Sequence, residues 1–469
     1  MTSSATRAAH DTRARFAYIP ALDGIRGLSV LGPVFFHANA TWLGGGFLTI
    51  DLFFVLSSFL ITSIALAEWD RTGRVDLLAY AGRRARRLLP ALLLCVLALA
   101  LYVALRADPT VVPRWRGGII AALTYSANWF EIFSKVSYFE QFDDPSPLYH
   151  TWSLAIEEQF YVVVPFVVIG VMLRGRRWGL RTLLVAGVVL AVVSAWWMAA
   201  LYDGGDPTRV YYGTDTRAQG LLVGIALAAA VRLWGPVRTD RGRRAAQVLG
   251  YAGFAYIVWA VFTLDQNTSW LFERGGFLAL GLAAAGLVFA TTVGLGGPLH
   301  WLLDLPPTRY LGRITYGVYL YHWPIFLIVI TPRRLASSPW WVLAGVLLTL
   351  AVATASYELV ERPIVERRLP LVHRPLRPRF AGAATAVIVA VVAVSVGVAD
   401  EAPRTTASTE LPPPPPPVDE PTTGGVATQR PLRVMVVGDS VMLQIGDALA
   451  QYAREHPDEL VVFNHARLG

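Results

Sequence analysis

The sequence predicts an all-α polytopic membrane protein of about eleven transmembrane helices, followed by a truncated α/β fragment. Mean hydropathy is +0.47 and hydrophobic residues make up 54% of the chain, which excludes an ordinary soluble enzyme. Apolar runs of about twenty residues, enough for one helix to cross a bilayer, recur along the chain. The net charge of +8 lies largely in arginine-rich segments beside these runs, which favours a topology signal over nucleic-acid binding.

The first apolar run, 22–42, follows a polar and basic segment, 1–21, that we expect to be cytoplasmic and not a cleaved signal peptide. This run contains Arg26 and His37, eleven positions apart, which at about 100° per residue puts them within about 20° of one helical face and roughly 16 Å apart. Ionisable groups inside a membrane helix usually face a protein-lined interior and mark a site. The alternative is that Arg26 snorkels to the interface and His37 makes one interhelical hydrogen bond. Asp23, three residues before Arg26, is expected to form an ion pair with it.

We predict spans at 22–42, 46–67, 88–107, 152–173, 181–201, 217–234, 247–264, 274–293, 309–331, 339–360 and 380–399. The segment 117–134 is apolar, but polar residues interrupt its far end. The arginine-dense segments 83–87, 174–181, 232–244 and 362–379 fall on one side of the membrane only if 117–134 does not cross. We therefore predict a re-entrant or surface helix within an external loop, 108–151, with the N-terminus of the chain in the cytoplasm.

Composition changes after the membrane region, which we place at 22–370 with ten spans, and after the extra helix at 380–399. Residues 400–431 include six consecutive prolines, 412–417, and predict an extended extracytoplasmic linker. From 432 the pattern predicts a buried strand, a tight turn at 438–440, an amphipathic helix and a second strand at 461–464. This is the opening of an α/β domain and too short to fold alone, so we expect the natural protein to continue past 469.

Six motifs occur in order: LDGIRGLSVLGPVFFHA at 22–38, GGFLTIDLFFVLSSFLIT at 45–62, RRARRLLPA at 83–91, HTWSLAIEEQFY at 150–161, YLGRITYGVYLYHWPIF at 310–326 and YELVERP at 357–363. Together they resemble the acyltransferase family 3 membrane proteins, over roughly residues 18–370. The GDS of the C-terminal segment resembles the first block of an SGNH-type domain. The sequence departs from the family pattern at Thr49, Ile50 and Ser58, and the SGNH blocks that would supply a base for Ser440 are absent.

The resemblance implies a membrane O-acyltransferase in the bacterial cytoplasmic membrane. It would move an acyl group, expected to be acetyl, from cytoplasmic acetyl-CoA or another acyl-CoA to a hydroxyl of an extracytoplasmic glycan or glycoconjugate. The bilayer and that glycan are the expected partners. No metal-ligand spacing is present, so no metal is predicted, and the oligomeric state is left open.

The resemblance also implies that Arg26 and His37 form the family's Arg-x10-His signature, with His37 catalytic. An imidazole near its ordinary pKa of about 6.5 suits a general base that takes a proton from a hydroxyl. Arginine forks bind phosphates, and coenzyme A carries several of them. The resemblance therefore implies donor binding by the cluster Arg83, Arg84 and Arg87, although a plain topology signal is the alternative.

Several polar residues complete the predicted site. Glu157 and Glu158 point about 100° apart on a helix, so we expect only one to face the site and favour Glu158, as a carboxylate that orients His37, binds the acceptor or pairs with an interior arginine. Ser440, at a strand-to-helix turn, is a candidate nucleophile. Supporting roles are expected for Asp51, for His322 next to Pro324, and for Glu361, which would hold the cytoplasmic arginines.

Two other functions fit the same composition. A transporter, or a translocator of the acyl donor that does no chemistry itself, would also use buried Arg, His and Glu residues. A transporter of the repeat type predicts an internal repeat, and none is visible in the sequence. A non-catalytic sensor or scaffold predicts that His37 can be replaced without loss of activity.

Overall fold

The computed structural model describes residues 18–38, 41–106, 111–134, 146–366, 432–436, 449, 452 and 460–464. The chain divides into two compact units, Met1–Pro403 and Arg404–Gly469. The predicted extra helix at 380–399, the proline-rich linker at 400–431 and Ser440 lie outside the described residues.

The described part of the first unit is helical, with π-helical turns extending two of its helices and short 3-10 turns before two others. In chain order its α-helices are α1 (Pro20–His37), α2 (Ile50–Thr72), α3 (Leu77–Arg106), α4 (Val112–Leu123), α5 (Ala127–Ser134), α6 (Trp152–Met172), α7 (Arg176–Leu201), α8 (Thr208–Tyr212), α9 (Thr214–Trp234), α10 (Asp240–Thr263), α11 (Trp270–Glu273), α12 (Gly276–Val293), α13 (Gly297–Asp304), α14 (Pro306–Pro324), α15 (Pro332–Ser337), α16 (Pro339–Ser356) and α17 (Arg362–Val365).

Nine helical segments in the described part of the chain are long and apolar enough to cross a membrane. They correspond to the second through tenth predicted spans and confirm a multi-pass helical protein. One boundary differs in a way that matters for the site. Helix α3 begins at Leu77, so the arginine-dense segment 83–87 is helical and not a loop. The total of eleven spans and the orientation of the termini stay predictions.

The first predicted span differs from expectation. Helix α1 ends at His37, five residues before the predicted end at 42, and is not among the nine span candidates. Its charged and polar side chains lower its hydropathy over a helix of only 18 residues. Most of the helix is nevertheless buried by protein, including His37. Helix α1 therefore lies inside the bundle, where its polar groups are covered by neighbouring helices.

The segment 117–134, predicted to be re-entrant or superficial, forms the end of α4 and all of α5. Neither helix reaches the length of a span, in agreement with the prediction that this segment does not cross as one helix. Between them Tyr125 has a φ of 52°, in the left-handed region that only a small fraction of non-glycine residues adopt. This break turns the chain, and the side chain of Tyr125 lines a cavity described below.

Helices α1 and α14 approach so closely that glycines are required at their contact. A Cβ at Gly312 would lie 1.9 Å from the Asp23 carbonyl oxygen, and a Cβ at Gly27 would lie 2.3 Å from that of Thr308. Side chains at these positions would force the two backbones apart. The glycines thus set the spacing that brings the far end of α1 to the far end of α14.

Two proline-associated irregularities follow α14 and α16. The chain beyond Pro324 continues as a π-helix, Ile325–Ile330, and a second π-helix, Tyr357–Glu361, precedes Pro363. A proline removes a hydrogen-bond donor from the helix ladder, and π-helical turns of this kind are frequent at functional sites. His322 lies three residues before the first of these turns, and Glu361 is the last residue of the second.

In the second unit, two strands are described, β1 (Leu432–Val436) and β2 (Leu460–Asn464). They pair in parallel, with Leu432 opposite Leu460 and Val436 opposite Asn464. Both predicted strands are confirmed, and parallel strands require a crossover connection. The turn at 438–440 that was predicted between them lies outside the described residues. The assignment of this unit to an SGNH-type domain stays a prediction.

Candidate active site

Two adjoining cavities enter the helical bundle and share Arg26 and Arg87 among their walls. The first cavity, of about 160 Å³, lies among α1, α2, α3, α6 and α14. The second cavity, of about 420 Å³, lies among α1, α2, α3, α14 and the segment from Tyr357 to Val365. Leu60, Ile64 and Tyr316 also line both, so the two cavities form neighbouring parts of one path.

The predicted arginine cluster is divided by the structure. Arg26 and Arg87 line both cavities and are partly exposed to them. Within the described residues no carboxylate oxygen lies within 4 Å of a nitrogen of either group. Arg83, by contrast, points to the surface and pairs with Glu68 at 3.2 Å. Each cavity is lined by three arginines and two acidic residues, so positive charge remains in excess for an anionic ligand.

Arg84 also lines the first cavity, but its charge is already paired with a carboxylate. Its guanidinium group pairs with Glu158 and lies 3.5 Å above the ring centroid of Tyr161. Of the three roles considered for Glu158, this geometry matches the pairing with an interior arginine. Hydrogen bonding thus assigns Glu158 to holding Arg84 in place.

The expectation that only one of Glu157 and Glu158 would face the site is wrong. Both line the first cavity, because α6 runs along it and the cavity is wide enough to reach side chains about 100° apart. Glu157 accepts a hydrogen bond from Ser57 at 3.0 Å. Glu157 has no arginine partner within 4 Å among the described residues, so it is the less constrained of the two carboxyl groups.

Tyr319 forms the wall between the first cavity and the protein interior. Its hydroxyl lies 2.8 Å from both the Ser153 hydroxyl and the His150 carbonyl oxygen. A phenol has one hydrogen, which goes to the carbonyl, so Ser153 donates to the Tyr319 oxygen. The carbonyl of Tyr319 faces the other way, 2.6 Å from Nδ1 of His322. Tyr319 therefore links the first cavity to His322.

Behind Tyr319 lie three fully buried histidines, His37, His150 and His322. Nδ1 of His37 is 2.7 Å from Nε2 of His322, and the two rings are within 5° of parallel. The ring of His150 stands nearly perpendicular to that of His322, with centroids 5.1 Å apart. Tyr149 and Trp323 pack against His37. Among the described residues, His37 therefore has a histidine partner on α14, a contact that the sequence did not predict.

Asp51 forms a buried ion pair that the sequence did not reveal. Its Oδ2 lies 2.9 Å from Nη2 of Arg217, and both side chains are fully buried. The guanidinium group of Arg217 is 4.0 Å from the ring centroid of Phe277 and 4.9 Å from that of Tyr211. Loss of either partner of such a pair typically costs about 3–5 kcal/mol. The pair ties α2 to α9 and lines neither of the two cavities, so its role is support.

Two predicted contacts of the supporting residues differ from expectation. Asp23 accepts a hydrogen bond from the Tyr18 hydroxyl at 2.6 Å, and its carboxylate oxygens lie more than 4 Å from the nitrogens of Arg26. Glu361 accepts from Ser356 at 2.8 Å and makes no ion pair with a described arginine. Both Asp23 and Glu361 thus accept hydrogen bonds from hydroxyl groups and do not pair with arginines in the described part of the chain. Both side chains still line the second cavity.

Sequence reasoning missed Tyr319, Ser153 and Arg217, and it used His150 only as a landmark. The first three lie within the apolar periodicity of their helices and carry no local pattern that separates a site residue from a core residue. His150 is the first residue of the motif at 150–161 and lies two residues before Trp152, and that position was a signal that could have found it.

Comparison with known proteins supplies independent findings. A family model described as "Acyltransferase domain" (Acyl_transf_3) matches residues 19–358. The chain is 39% identical over 360 residues to the "Putative peptidoglycan O-acetyltransferase YrhL" of Bacillus subtilis, covering 74% of this chain and 55% of that protein. It is 36% identical over 364 residues to the "Peptidoglycan O-acetyltransferase OatA" of Listeria monocytogenes, covering 75% and 57%.

A third relative is the "O-acetyltransferase OatA" of Staphylococcus aureus, 35% identical over 354 residues, covering 74% of this chain and 57% of that protein. The chain thus spans little more than half the length of the curated relatives that it matches. No solved structure matches it.

Proposed function

The chain belongs to acyltransferase family 3, and we propose that it is a membrane O-acetyltransferase that transfers an acetyl group from acetyl-CoA to a hydroxyl of a cell-wall glycan. The observation that carries the proposal is the arrangement of two cavities next to a buried histidine pair, both lined by Arg26 and Arg87, which have no carboxylate partner among the described residues. This arrangement provides an anion site and a base within one helical bundle.

The donor fits the cavities by charge and by polarity. Arg26 and Arg87 offer guanidinium groups without a carboxylate partner among the described residues, and phosphates of coenzyme A would supply the missing negative charge. The first cavity is walled largely by apolar and aromatic side chains of α2 and α14, which suit the pantetheine arm and the acetyl group. The thioester would then lie towards Tyr319, with the histidines behind it.

His37 acts as the general base in this proposal. It removes the proton of the acceptor hydroxyl as the hydroxyl oxygen bonds to the thioester carbonyl carbon. The carbon–sulfur bond then breaks, and the thiolate of coenzyme A takes the proton back from His37. Tyr319 and Ser153 separate donor and base in the present geometry, so their hydrogen bond must open during each transfer.

The acceptor is proposed from the relatives, two of which are named as peptidoglycan O-acetyltransferases. Peptidoglycan lies outside the cytoplasmic membrane and acetyl-CoA inside it, so the acetyl group has to cross along the bundle. We infer that the arginine side of the cavities faces the cytoplasm, as the positive-inside rule predicts. The acetyl group then reaches the glycan either directly or through the hydroxyl of Ser440.

A mass measurement of ester-linked acetyl groups on cell-wall glycans tests this function in cells. The full-length protein is compared with His37→Ala, Ser440→Ala and the exposed-site control His300→Ala at matched membrane levels. We expect His37→Ala to abolish the ester and His300→Ala to leave it unchanged. Loss with Ser440→Ala as well indicates transfer in series, whereas a retained ester indicates direct transfer. An undiminished ester in His37→Ala overturns the proposal and favours a translocator.

A further inference from the structure

The hydrogen bond between His37 and His322 joins two helices that are far apart in sequence. Helix α1 presents His37 at its last residue, and α14 presents His322 two residues before Pro324. Both rings are fully buried and nearly coplanar, with 2.7 Å between His37 Nδ1 and His322 Nε2. A hydrogen bond between two imidazoles leaves one question, which is where each hydrogen resides.

The backbone around His322 answers that question. Its Nδ1 lies 2.6 Å from the carbonyl oxygen of Tyr319, and a carbonyl oxygen can only accept. Nδ1 of His322 therefore carries a hydrogen, and in the neutral ring Nε2 is then the accepting nitrogen. His37 must donate to it through Nδ1. The neutral form of His37 consequently has its lone pair on Nε2.

We propose that His322 is a positioning residue that fixes this tautomer of His37, so that Nε2 is the nitrogen that takes the acceptor proton. The inference rests on the proposed function and assigns a new role within it. When His37 is protonated at Nε2, the charge on its ring is stabilised by the hydrogen bond from Nδ1 to Nε2 of His322. The proton leaves again from Nε2 to the thiolate, so His322 gains and loses no atom over the cycle.

A neutral hydrogen-bond partner suits the buried surroundings of His37. An ionised carboxylate buried behind His37 would be costly to desolvate, while an imidazole accepts the same hydrogen bond without a permanent charge. Tyr319 adds a link between donor and base, since its side chain walls the first cavity and its carbonyl anchors His322. The orientation of the base is therefore tied to the same residue that borders the donor.

Four substitutions in the full-length protein separate positioning from packing. His322→Phe keeps the ring and removes both nitrogens. His322→Gln places an amide oxygen near the position of Nε2, within reach of His37, whereas the shorter His322→Asn places its amide near Nδ1. His300→Phe is the matched control, because His300 is exposed on α13. Acetyl transfer to a peptidoglycan fragment gives kcat and the KM for acetyl-CoA, and thermal unfolding reports folding.

We expect His322→Phe to lower kcat by about 10²-fold or more with the KM for acetyl-CoA within about twofold, since loss of an oriented base removes a factor of this size. We expect the kcat of His322→Gln to be at least tenfold higher than that of His322→Phe. The kcat of His322→Asn should equal that of His322→Phe. His300→Phe should match wild type.

Several outcomes overturn the inference. One is a kcat for His322→Phe within twofold of wild type. A second is equal loss in the Gln and Phe variants with equal loss of thermal stability, which indicates packing alone. If the Phe variant does not fold, equal kcat values for the Gln and Asn variants overturn it. If His37→Ala is inactive and His322→Phe is active, only this inference is refuted. If His37→Ala is active, the proposed function is refuted.

Discussion

At the scale of single residues, the structure separates groups that the sequence presents as equals. One motif contains Arg83, Arg84 and Arg87. Arg83 lies at the surface, Arg84 pairs with a carboxylate, and Arg87 lines a cavity. The motif could be found from its residue types. The different surroundings of the three arginines depend on the direction in which each side chain leaves α3 relative to α2 and α6. A single sequence carries no record of those neighbours.

Glu131 on α5 provides a prediction for pH dependence. It is 1% exposed, and among the described residues it pairs with Arg114, with 3.8 Å between Oε2 and Nη2. Burial raises the pKa of the Glu131 carboxyl group from 4.5 to about 7, against the opposing pull of Arg114. Because the folded-state pKa is raised, the protonated form favours folding. The associated stability is full below about pH 4.5 and is lost as pH rises to about 7, a difference of about 3 kcal/mol.

Thermal unfolding of the full-length protein between about pH 5 and pH 8 measures this effect. We expect Glu131→Gln to flatten the fall in Tm with rising pH and to raise Tm at the alkaline end. Glu68→Gln is the control, since Glu68 is paired with the exposed Arg83 and should keep the wild-type slope. Parallel pH profiles for wild type and Glu131→Gln would show that Glu131 is not the titrating group.

At the scale of elements, the contact between α1 and α14 determines whether the histidine pair exists. Both helices were predicted from the sequence, which contains both histidines, and the resemblance supplied their family context. The register between the helices could not be predicted, because it depends on backbone contacts at Gly27 and Gly312 and not on any hydrophobic period. Only the folded chain places His37 beside His322 and leaves the predicted carboxylates to other partners.

Gly312→Ala tests this contact. The added Cβ would lie 1.9 Å from the Asp23 carbonyl oxygen, so α14 must move away from α1, and overpacking of this kind costs about 1–3 kcal/mol. We expect a lower Tm and a lower kcat for acetyl transfer. Gly170→Ala is a matched control in α6, where a Cβ meets nothing within 4 Å and alanine favours the helix. Equal Tm and kcat in both variants would contradict a spacing role for Gly312.

At the scale of the whole molecule, the multi-pass fold was predictable because apolar runs of spanning length are strong signals in a sequence. Nine of the predicted spans match helices in the described part of the chain, and the family match covers residues 19–358. The first predicted span is not among them, since the charged and polar side chains of α1 lower its hydropathy. The two strands of the second unit were predicted from their local pattern.

The cavity path was beyond sequence reasoning. Its walls come from α1, α2, α3, α6 and α14, and no short motif encodes their convergence. The sequence identified Arg26, Arg87 and His37 as candidates. The structure places the two arginines on the cavity walls and His37 behind Tyr319.

Acetyl-CoA turnover by the purified full-length protein, with a peptidoglycan fragment as acceptor, tests the central claim that this path binds the donor and delivers it to His37. We predict that His37→Ala lowers kcat by about 10²–10⁴-fold. Arg87→Gln should raise the KM for acetyl-CoA by about tenfold or more, as expected for loss of a charge-assisted phosphate contact, while Arg83→Gln leaves KM unchanged. Wild-type turnover in His37→Ala, or equal KM values for the Arg87 and Arg83 variants, would contradict the account.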